Sequence, residues 1–143
     1  MLFYSGITRS ADSILKEQTA NVADKLAQLG LLRDLAEGAA DALRIGDSDQ
    51  VGIALNKSWE AKRSLASGVS NSLLDAAVDA AVDAGASGAK VAGAGGGGFV
   101  LVVCPVQHQA AVRVALSDMK EMPVKIDAYG SRVVLNVHRD IWG

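Results

Sequence analysis

The chain has only one cysteine among its 143 residues, Cys104, so no disulfide can form within it. Cys104 ends an apolar segment, where cysteine more often acts as a small hydrophobic side chain than as a nucleophile. We therefore expect Cys104 to be packed in the interior, and we assign it no catalytic role.

Histidine is almost as scarce, with only His108 and His138 present. Neither has a cysteine or glutamate at the spacing of a metal site, so no metal ligand is predicted. Ser131, His138 and Asp140 have the residue types of a catalytic triad, but no nucleophile turn surrounds Ser131. The sequence alone therefore assigns no catalytic residue.

Aromatic residues and excess positive charge are also lacking. The chain has six aromatic residues, and sixteen Asp and Glu outnumber fourteen Lys and Arg to give a formal charge of −2. Proteins that bind nucleic acid usually combine a basic surface with side chains that stack on bases. We therefore expect no nucleic-acid partner.

Long hydrophobic runs are absent as well. Strictly apolar segments such as 99–104 are far shorter than the roughly 20 residues with which a helix crosses a bilayer. The opening segment MLFYSGITRS has no basic region before its apolar residues, unlike a secretory signal peptide. We expect a soluble cytoplasmic protein that does not bind membranes.

What the chain does have is apolar content, since half of its residues are hydrophobic. In a chain of this length, that content is enough for one ordinary core and too little for two. The sequence therefore predicts a single domain spanning residues 1–143.

Apolar periodicity predicts helices over much of the first 85 residues. A short helix should contain Ile14 and Leu15, and a long helix should lie between residues 22 and 45, with Gly46 at its end. Asp47 and Gln50 resemble a capping box for another helix, which is predicted to end at Gly68. The apolar stripe of the long helix consists of Leu32, Leu35, Ala36, Ala39 and Leu43.

The segment LLDAAVDAAVDAG predicts a further amphipathic helix that Gly85 ends, with a cap from Ser70, Asn71 or Ser72. Its aspartates recur every four residues and form an acidic stripe parallel to the apolar one. Carboxylates stacked one per turn point outward together and do not converge, so we interpret them as a solvated face and not as a metal site. The aspartates are Asp75, Asp79 and Asp83.

Strands are predicted mainly after these helices. We expect them at 2–4, 89–92, 99–104, 124–128 and 132–137, with one more helix at 107–119. Because four helices precede most of the strands, the order indicates an α+β fold in which helices pack on one face of a mainly antiparallel sheet.

A glycine-rich segment, KVAGAGGGGFVLVVCP, is the most distinctive feature of the chain. Gly93, Gly95 and Gly98 satisfy the spacing G-x-G-x-x-G, but a dinucleotide site requires a helix after the glycines, and the residues that follow favour a strand. No Gly-Lys-Ser or Gly-Lys-Thr follows either, as a Walker A loop requires. We therefore reject both nucleotide-binding motifs.

A glycine run between two strands can still bind phosphate or sugar through its backbone. Glycines present successive N–H groups without side chains in the way. The alternative is a flexible hairpin tip, although ordering five glycines in six residues costs much chain entropy. We favour a binding role for residues 93–98.

Three segments, FYSGITRSADSIL, WEAKRSLASGVSN and GAKVAGAGGGGFVLVVCP, resemble the C-terminal half of the GHMP small-molecule kinases. The similarity spans nearly the whole chain and looks greatest to the kinases of D-glycero-D-manno-heptose 7-phosphate. The resemblance implies a ferredoxin-like sheet and phosphoryl transfer from ATP with Mg²⁺. It also implies an N-terminal half with a PxxxGLGSSA-type phosphate loop, and no such loop occurs in this sequence.

The resemblance implies that the glycine motif forms part of a sugar and phosphate pocket, and its residues match Gly93, Ala94, Gly95, Gly96, Gly97 and Gly98. Arg9 matches the arginine of a TGxxR stretch, where a guanidinium could hold a sugar phosphate; an exposed arginine at a helix start is the alternative. Lys62 matches the lysine of WxxK, but a solvated helix face explains it equally well.

Two functions follow as expectations. The first is the distal half of a sugar-phosphate kinase, inactive without a phosphate-loop half in the same or a separate chain, and unable to bind ATP and Mg²⁺ fully by itself. The second is a stand-alone module that binds a sugar phosphate or another protein without catalysis. Because the first strand and the glycine motif would border the missing half, we also expect exposed apolar surface, an unpaired sheet edge and a homodimer.

Overall fold

The computed structural model describes residues 1–8, 11–125 and 130. Arg9 and the predicted strand at 132–137 lie outside these residues, as does most of the predicted strand at 124–128. The described part contains helices α1 to α5 at Ala11–Ala20, Leu26–Ile45, Ser48–Arg63, Ser72–Asp83 and Gln109–Ala115. Strands β1 to β4 lie at Leu2–Tyr4, Gly88–Val91, Phe99–Val103 and Lys120–Glu121.

The four strands form one antiparallel sheet in the order β2-β3-β1-β4. Phe3 pairs with Val100 in the β1–β3 ladder, and Val91 pairs with Val100 in the β2–β3 ladder. All three side chains are buried, whereas Leu101, one residue further along β3, is 36% exposed. The alternation turns one face of the sheet towards the core, where the helices cover it, and confirms the predicted α+β fold.

The core lies between that face and helices α3 and α4. Trp59 from α3, Leu74 and Val78 from α4, and Val112 from α5 contact the strand residues in one hydrophobic cluster. Val69, in the connection between α3 and α4, is completely buried in the same cluster. The amphipathic pattern of α4 was therefore predicted correctly, and its aspartates lie away from the core.

Helix α3 covers the outer edge of the sheet at strand β2. The two backbones come so close that a Cβ built on Gly88 would lie 1.9 Å from the carbonyl oxygen of Gly52. The side chain of Asn56 accepts a hydrogen bond from the Ala89 amide at 2.9 Å and donates to the Ser87 carbonyl at 3.4 Å. This helix therefore satisfies backbone groups that an open edge strand would leave unpaired.

The predicted helix caps at two junctions are present. The Asp47 carboxylate accepts a hydrogen bond from the Gln50 amide at 3.0 Å, and the Asn71 side chain accepts one from the Leu74 amide at 3.0 Å. Gly46 ends α2 in the left-handed conformation, with φ of 76°. Local sequence signals thus set the start of α3 and α4.

Several sequence expectations were wrong. Helix α3 ends at Arg63 and not near Gly68, because residues 64–69 turn to bury Leu65, Ala66 and Val69. In the predicted stripe of α2, Leu43 is 66% exposed, since α2 packs mainly on α3 and not on the sheet. Strand β1 lies inside the sheet, so it is not the unpaired edge that we expected.

Cys104 is partly buried, next to the hydrophobic core, and burial raises the pKa of its thiol. A raised pKa reduces the thiolate fraction at neutral pH, consistent with a packing role. Within the described residues, no helix is both long enough and apolar enough to cross a membrane.

Candidate functional site

The glycine segment forms the connection between antiparallel strands β2 and β3, as the sequence predicted. Residues 93–98 form turns and bends and no helix, and strand β3 follows them, which agrees with the rejection of the dinucleotide motif. Gly93, Gly95, Gly96 and Gly98 have φ values between 75° and 101°, which L-residues with side chains rarely adopt. We call residues 93–98 the glycine loop.

One side of the glycine loop is bound to the chain that follows β1. The Gly98 amide donates to the Ile7 carbonyl at 2.8 Å, and the Ser5 amide donates to the Gly98 carbonyl at 2.8 Å. The Ser5 hydroxyl donates to the same carbonyl at 2.9 Å. The SGIT segment, which ends next to Arg9, is therefore fixed directly against the loop.

The other side of the glycine loop is bound to the connection between α3 and α4. The Gly96 amide donates to the Val69 carbonyl at 2.7 Å, and a Cβ on Gly95 would lie 2.5 Å from that oxygen. A Cβ on Gly97 would lie 2.7 Å from the Ile7 carbonyl oxygen. Glycine is thus required here by close backbone packing as well as by φ.

Lys62 provides a further contact, because its ammonium group donates a hydrogen bond to the Gly93 carbonyl. Burial lowers the pKa of Lys62, and the positive charge of Lys90 lowers it further. Lys62 is partly buried and contacts the glycine loop, so a solvated helix face alone does not account for its position. The sequence offered no signal for this contact other than the family resemblance.

Four amides of the glycine loop have no hydrogen-bond acceptor in the described part of the chain. They belong to Gly93, Ala94, Gly95 and Gly97. Successive backbone N–H groups in left-handed and turn conformations create a partial positive charge that suits an anion. The loop can therefore donate several hydrogen bonds to a phosphate or carboxylate without any side chain.

The remaining sequence candidates have different local roles. Asn71 caps α4, and the hydroxyl of Ser70 donates to the Asp75 carboxylate at 2.8 Å. Arg9 lies outside the described residues, so its role as a phosphate ligand stays a prediction. No group of three or more metal-binding side chains occurs within the described residues.

Sequence reasoning missed the residues that hold the glycine loop. Ile7 and Val69 do so through backbone carbonyls, which have no signature in the side-chain sequence. Ser5 stands where the TGxxR stretch has threonine, and its hydroxyl accepts a hydrogen bond from the Ile7 amide at 3.3 Å. The three segments that resemble the kinases thus meet at one place in the structure.

Comparison with known proteins agrees with this convergence. Residues 39–123 match the family model described as GHMP kinases C terminal. That range includes the glycine loop, helices α3 to α5 and strands β2 to β4.

Two curated relatives have fucokinase in their names. The chain is 35% identical over 118 residues to an L-fucokinase/L-fucose-1-P guanylyltransferase from Bacteroides fragilis. It is 26% identical over 131 residues to a bifunctional fucokinase/GDP-fucose pyrophosphorylase from Arabidopsis thaliana. These matches cover 80% and 88% of this chain, but only 12% of each relative.

Solved kinase structures share the fold. A mevalonate kinase from L. major superposes with a TM-score of 0.70 at 24% identity, over 82% of this chain and 37% of that one. A Streptococcus pneumoniae phosphomevalonate kinase, in complex with phosphomevalonate and AMPPNP, superposes with a TM-score of 0.68 at 17% identity. The match covers 82% of this chain and 35% of that one. At these identities the similarity establishes the fold alone. The matched family model, which spans more than half of the residues, shows that the chain belongs to the GHMP kinase C-terminal family.

Proposed function

We propose that this chain is the C-terminal part of an ATP-dependent sugar kinase and that its glycine loop forms one wall of the phosphate pocket. The main support is that Ser5, Ile7, Lys62 and Val69 all bond to a loop that keeps four amides without acceptors in the described residues. A loop held on three sides needs little reorganisation when a ligand binds.

The role proposed for the loop is to bind and orient a phosphate group. Amides of Gly93, Ala94, Gly95 and Gly97 would donate to phosphate oxygens, because they are the donors left free by the internal hydrogen bonds. Arg9 follows the segment bound to the loop, and we propose that its guanidinium holds a sugar phosphate bidentately.

ATP would supply the transferred phosphoryl group, and Mg²⁺ would neutralise charge on its phosphates. The free amides of the glycine loop fit phosphate oxygens. We assign no Mg²⁺ ligand to the described residues, because they contain no cluster of carboxylates. We therefore propose that the magnesium ligands and the catalytic base lie in an N-terminal half, in the same chain or a separate one.

The substrate class that we propose is a sugar or sugar phosphate. The names of both curated relatives include fucokinase, which makes L-fucose the first candidate. The resemblance of the WxxK and GVSN stretches to the heptose kinases makes D-glycero-D-manno-heptose 7-phosphate the second. Both compounds require phosphoryl transfer to a sugar hydroxyl.

A stand-alone module that binds sugar phosphate is the second candidate function. One observation favours it: hydrogen bonds with Ser5, Ile7, Val69 and Lys62 already hold the glycine loop within this chain. Such a module would bind the sugar phosphate and catalyse nothing.

Turnover assays with radiolabelled ATP test the proposal. The chain alone and the chain joined to the phosphate-loop half of a related kinase would each be incubated with L-fucose and with heptose 7-phosphate. We expect transfer only by the joined protein, and a large loss with Gly95→Ala. Transfer by the isolated chain would refute the view that essential parts lie elsewhere, and binding without transfer by the joined protein would favour the module.

A further inference from the structure

A second potential site lies in a cavity of about 440 Å³ between helices α2 and α3. Most of its wall is aliphatic, so it could enclose an apolar group. The aliphatic wall includes Leu32, Leu35, Ala39, Leu55 and Leu65.

Two lysines extend into this aliphatic cavity. The ammonium group of Lys90 donates to the Ser58 hydroxyl at 3.1 Å, and that of Lys62 donates to the Gly93 carbonyl. An ammonium group has three donors, so each lysine keeps two that have no acceptor in the described residues. No Asp or Glu lines this cavity among the described residues.

The electrostatics of the cavity favour a negative ligand. Burial lowers the pKa of both lysines, and the charge of Lys90 further lowers the pKa of Lys62. Two like charges that are partly removed from water and lack a counter-charge are stabilised when an anion binds between them. Among the described residues, the cavity therefore lacks a negative charge to balance its two lysines.

Gln18 adds an independent observation from helix α1. Its side chain lines the same cavity, and its amide nitrogen is buried without an acceptor in the described part of the chain. A buried donor without a partner costs free energy. An oxygen-bearing ligand in the cavity would supply that acceptor.

We propose that this cavity binds a small organic phosphate, with the phosphate group between Lys62 and Lys90 and the organic part against the leucines. A phosphate monoester carries nearly two negative charges at pH 7, so it matches two ammonium groups better than a carboxylate does. This site is additional to the glycine loop. Lys62 contacts both places, whereas the hydrogen bond of Lys90 is made to Ser58.

The test uses n-butyl phosphate, inorganic phosphate and n-butanol as probes, titrated calorimetrically into the full chain. We expect n-butyl phosphate to bind at least about tenfold more tightly than inorganic phosphate, because of the apolar wall, and n-butanol not to bind. Lys90→Met should weaken n-butyl phosphate binding by about tenfold to a hundredfold. The matched control, Lys57→Met, changes an exposed lysine on α3 and should leave the affinity unchanged.

Equal losses of n-butyl phosphate affinity in Lys90→Met and Lys57→Met would overturn the proposal, since they would indicate a general attraction to positive charge. Equal affinities for the two phosphates would also overturn it. Thermal unfolding verifies that each variant folds. If Lys90→Met does not fold, Lys62→Met tests the same loss of affinity for n-butyl phosphate. Failure here leaves the proposed kinase function untouched, because turnover by the joined protein and the response of the loop amides are measured separately.

Discussion

At the scale of single residues, the loop glycines differ in what a side chain would meet. A Cβ at Gly95 would lie 2.5 Å from the Val69 carbonyl oxygen, whereas a Cβ at Gly93 would have nothing within 4 Å. Both residues have positive φ, so both alanine variants incur backbone strain. Only Gly95→Ala also pushes the loop away from Val69, which accepts the Gly96 hydrogen bond.

We expect Gly95→Ala to lower the free energy of unfolding by about 2–4 kcal/mol, against about 1–2 kcal/mol for Gly93→Ala. Urea denaturation of both variants beside the wild type measures the difference. Equal losses would mean that the contact with Val69 does not hold the loop.

The lowered pKa of Lys90 predicts that the stability of the fold depends on pH. Burial lowers its pKa from the ordinary value of 10.5, so between the lowered value and 10.5 the unfolded chain binds more protons than the folded one. The free energy of unfolding therefore rises with pH between these two values. Below the lowered pKa, the buried charge of Lys90 destabilises the fold to its full extent. Lys62 is the charged neighbour in the same cavity.

The prediction is that Lys90→Met unfolds at a higher temperature than the wild type at pH 7, and that the difference shrinks as the pH approaches 10.5. Thermal unfolding across that range provides the measurement. Lys57→Met, at an exposed position, should show little difference at any pH. A difference for Lys90→Met that grows with pH would contradict the sign.

At the scale of elements, the contact of α3 with β2 depends on two glycines. A Cβ on Gly52 would lie 2.4 Å from the Ser87 carbonyl carbon, which is backbone and cannot move aside. Gly38 in α2, by contrast, has nothing within 4 Å of a Cβ and lies in an exposed part of the helix. The same substitution should therefore have opposite effects in the two helices.

We expect Gly52→Ala to destabilise the fold by roughly 1–3 kcal/mol through overpacking. Gly38→Ala should stabilise it by about 0.5–1 kcal/mol, because alanine loses less backbone entropy in a helix. Chemical denaturation checks both values. Stabilisation by Gly52→Ala would show that the helix and strand are not in close contact.

The elements also show what the sequence could predict. Helix α4 was found because its capping residue, apolar period and terminal glycine all lie within one short segment. The two-residue strand β4 was missed because its pairing with β1 is made by backbone groups distant in sequence. The end of α3 was misplaced because burial of Leu65 and Val69 overrides the local helical pattern.

The candidate site, like the helices and strands, could be predicted only where a local sequence signal exists. The glycine loop was predicted because five glycines in six residues are visible in the sequence, and its position between two strands is confirmed. The bonds to Ile7 and Val69 could not be predicted, since any residue supplies a backbone carbonyl. The cavity with Lys62 and Lys90 is lined by α1, α2, α3 and β2, which are distant in sequence, so no local pattern indicates it.

At the scale of the whole molecule, we predict self-association through the outer face of the sheet. Leu101 is exposed there and pairs with Leu2, while the rings of Tyr4 and Phe99 lie 5.3 Å apart beside them. Partly exposed apolar side chains on neighbouring strands gain from burial against a second copy.

Light scattering at micromolar concentration should therefore give twice the mass of one chain. Leu101→Lys should give the mass of a single chain, since a lysine would be buried at the interface. A single-chain mass for the wild type would contradict the prediction. Leu43→Lys, at an exposed position on α2, is the control and should leave the mass doubled.

We propose above all that the backbone of the glycine loop binds phosphate. The most direct test of this proposal is an NMR titration of the Lys90→Met variant with inorganic phosphate, so that the cavity between α2 and α3 contributes little. We expect the amide signals of Gly93, Ala94, Gly95 and Gly97 to shift along one common saturation curve, while those of Gly30 and Gly38 in α2 stay in place. Unmoved loop amides, or equal shifts in α2, would contradict it.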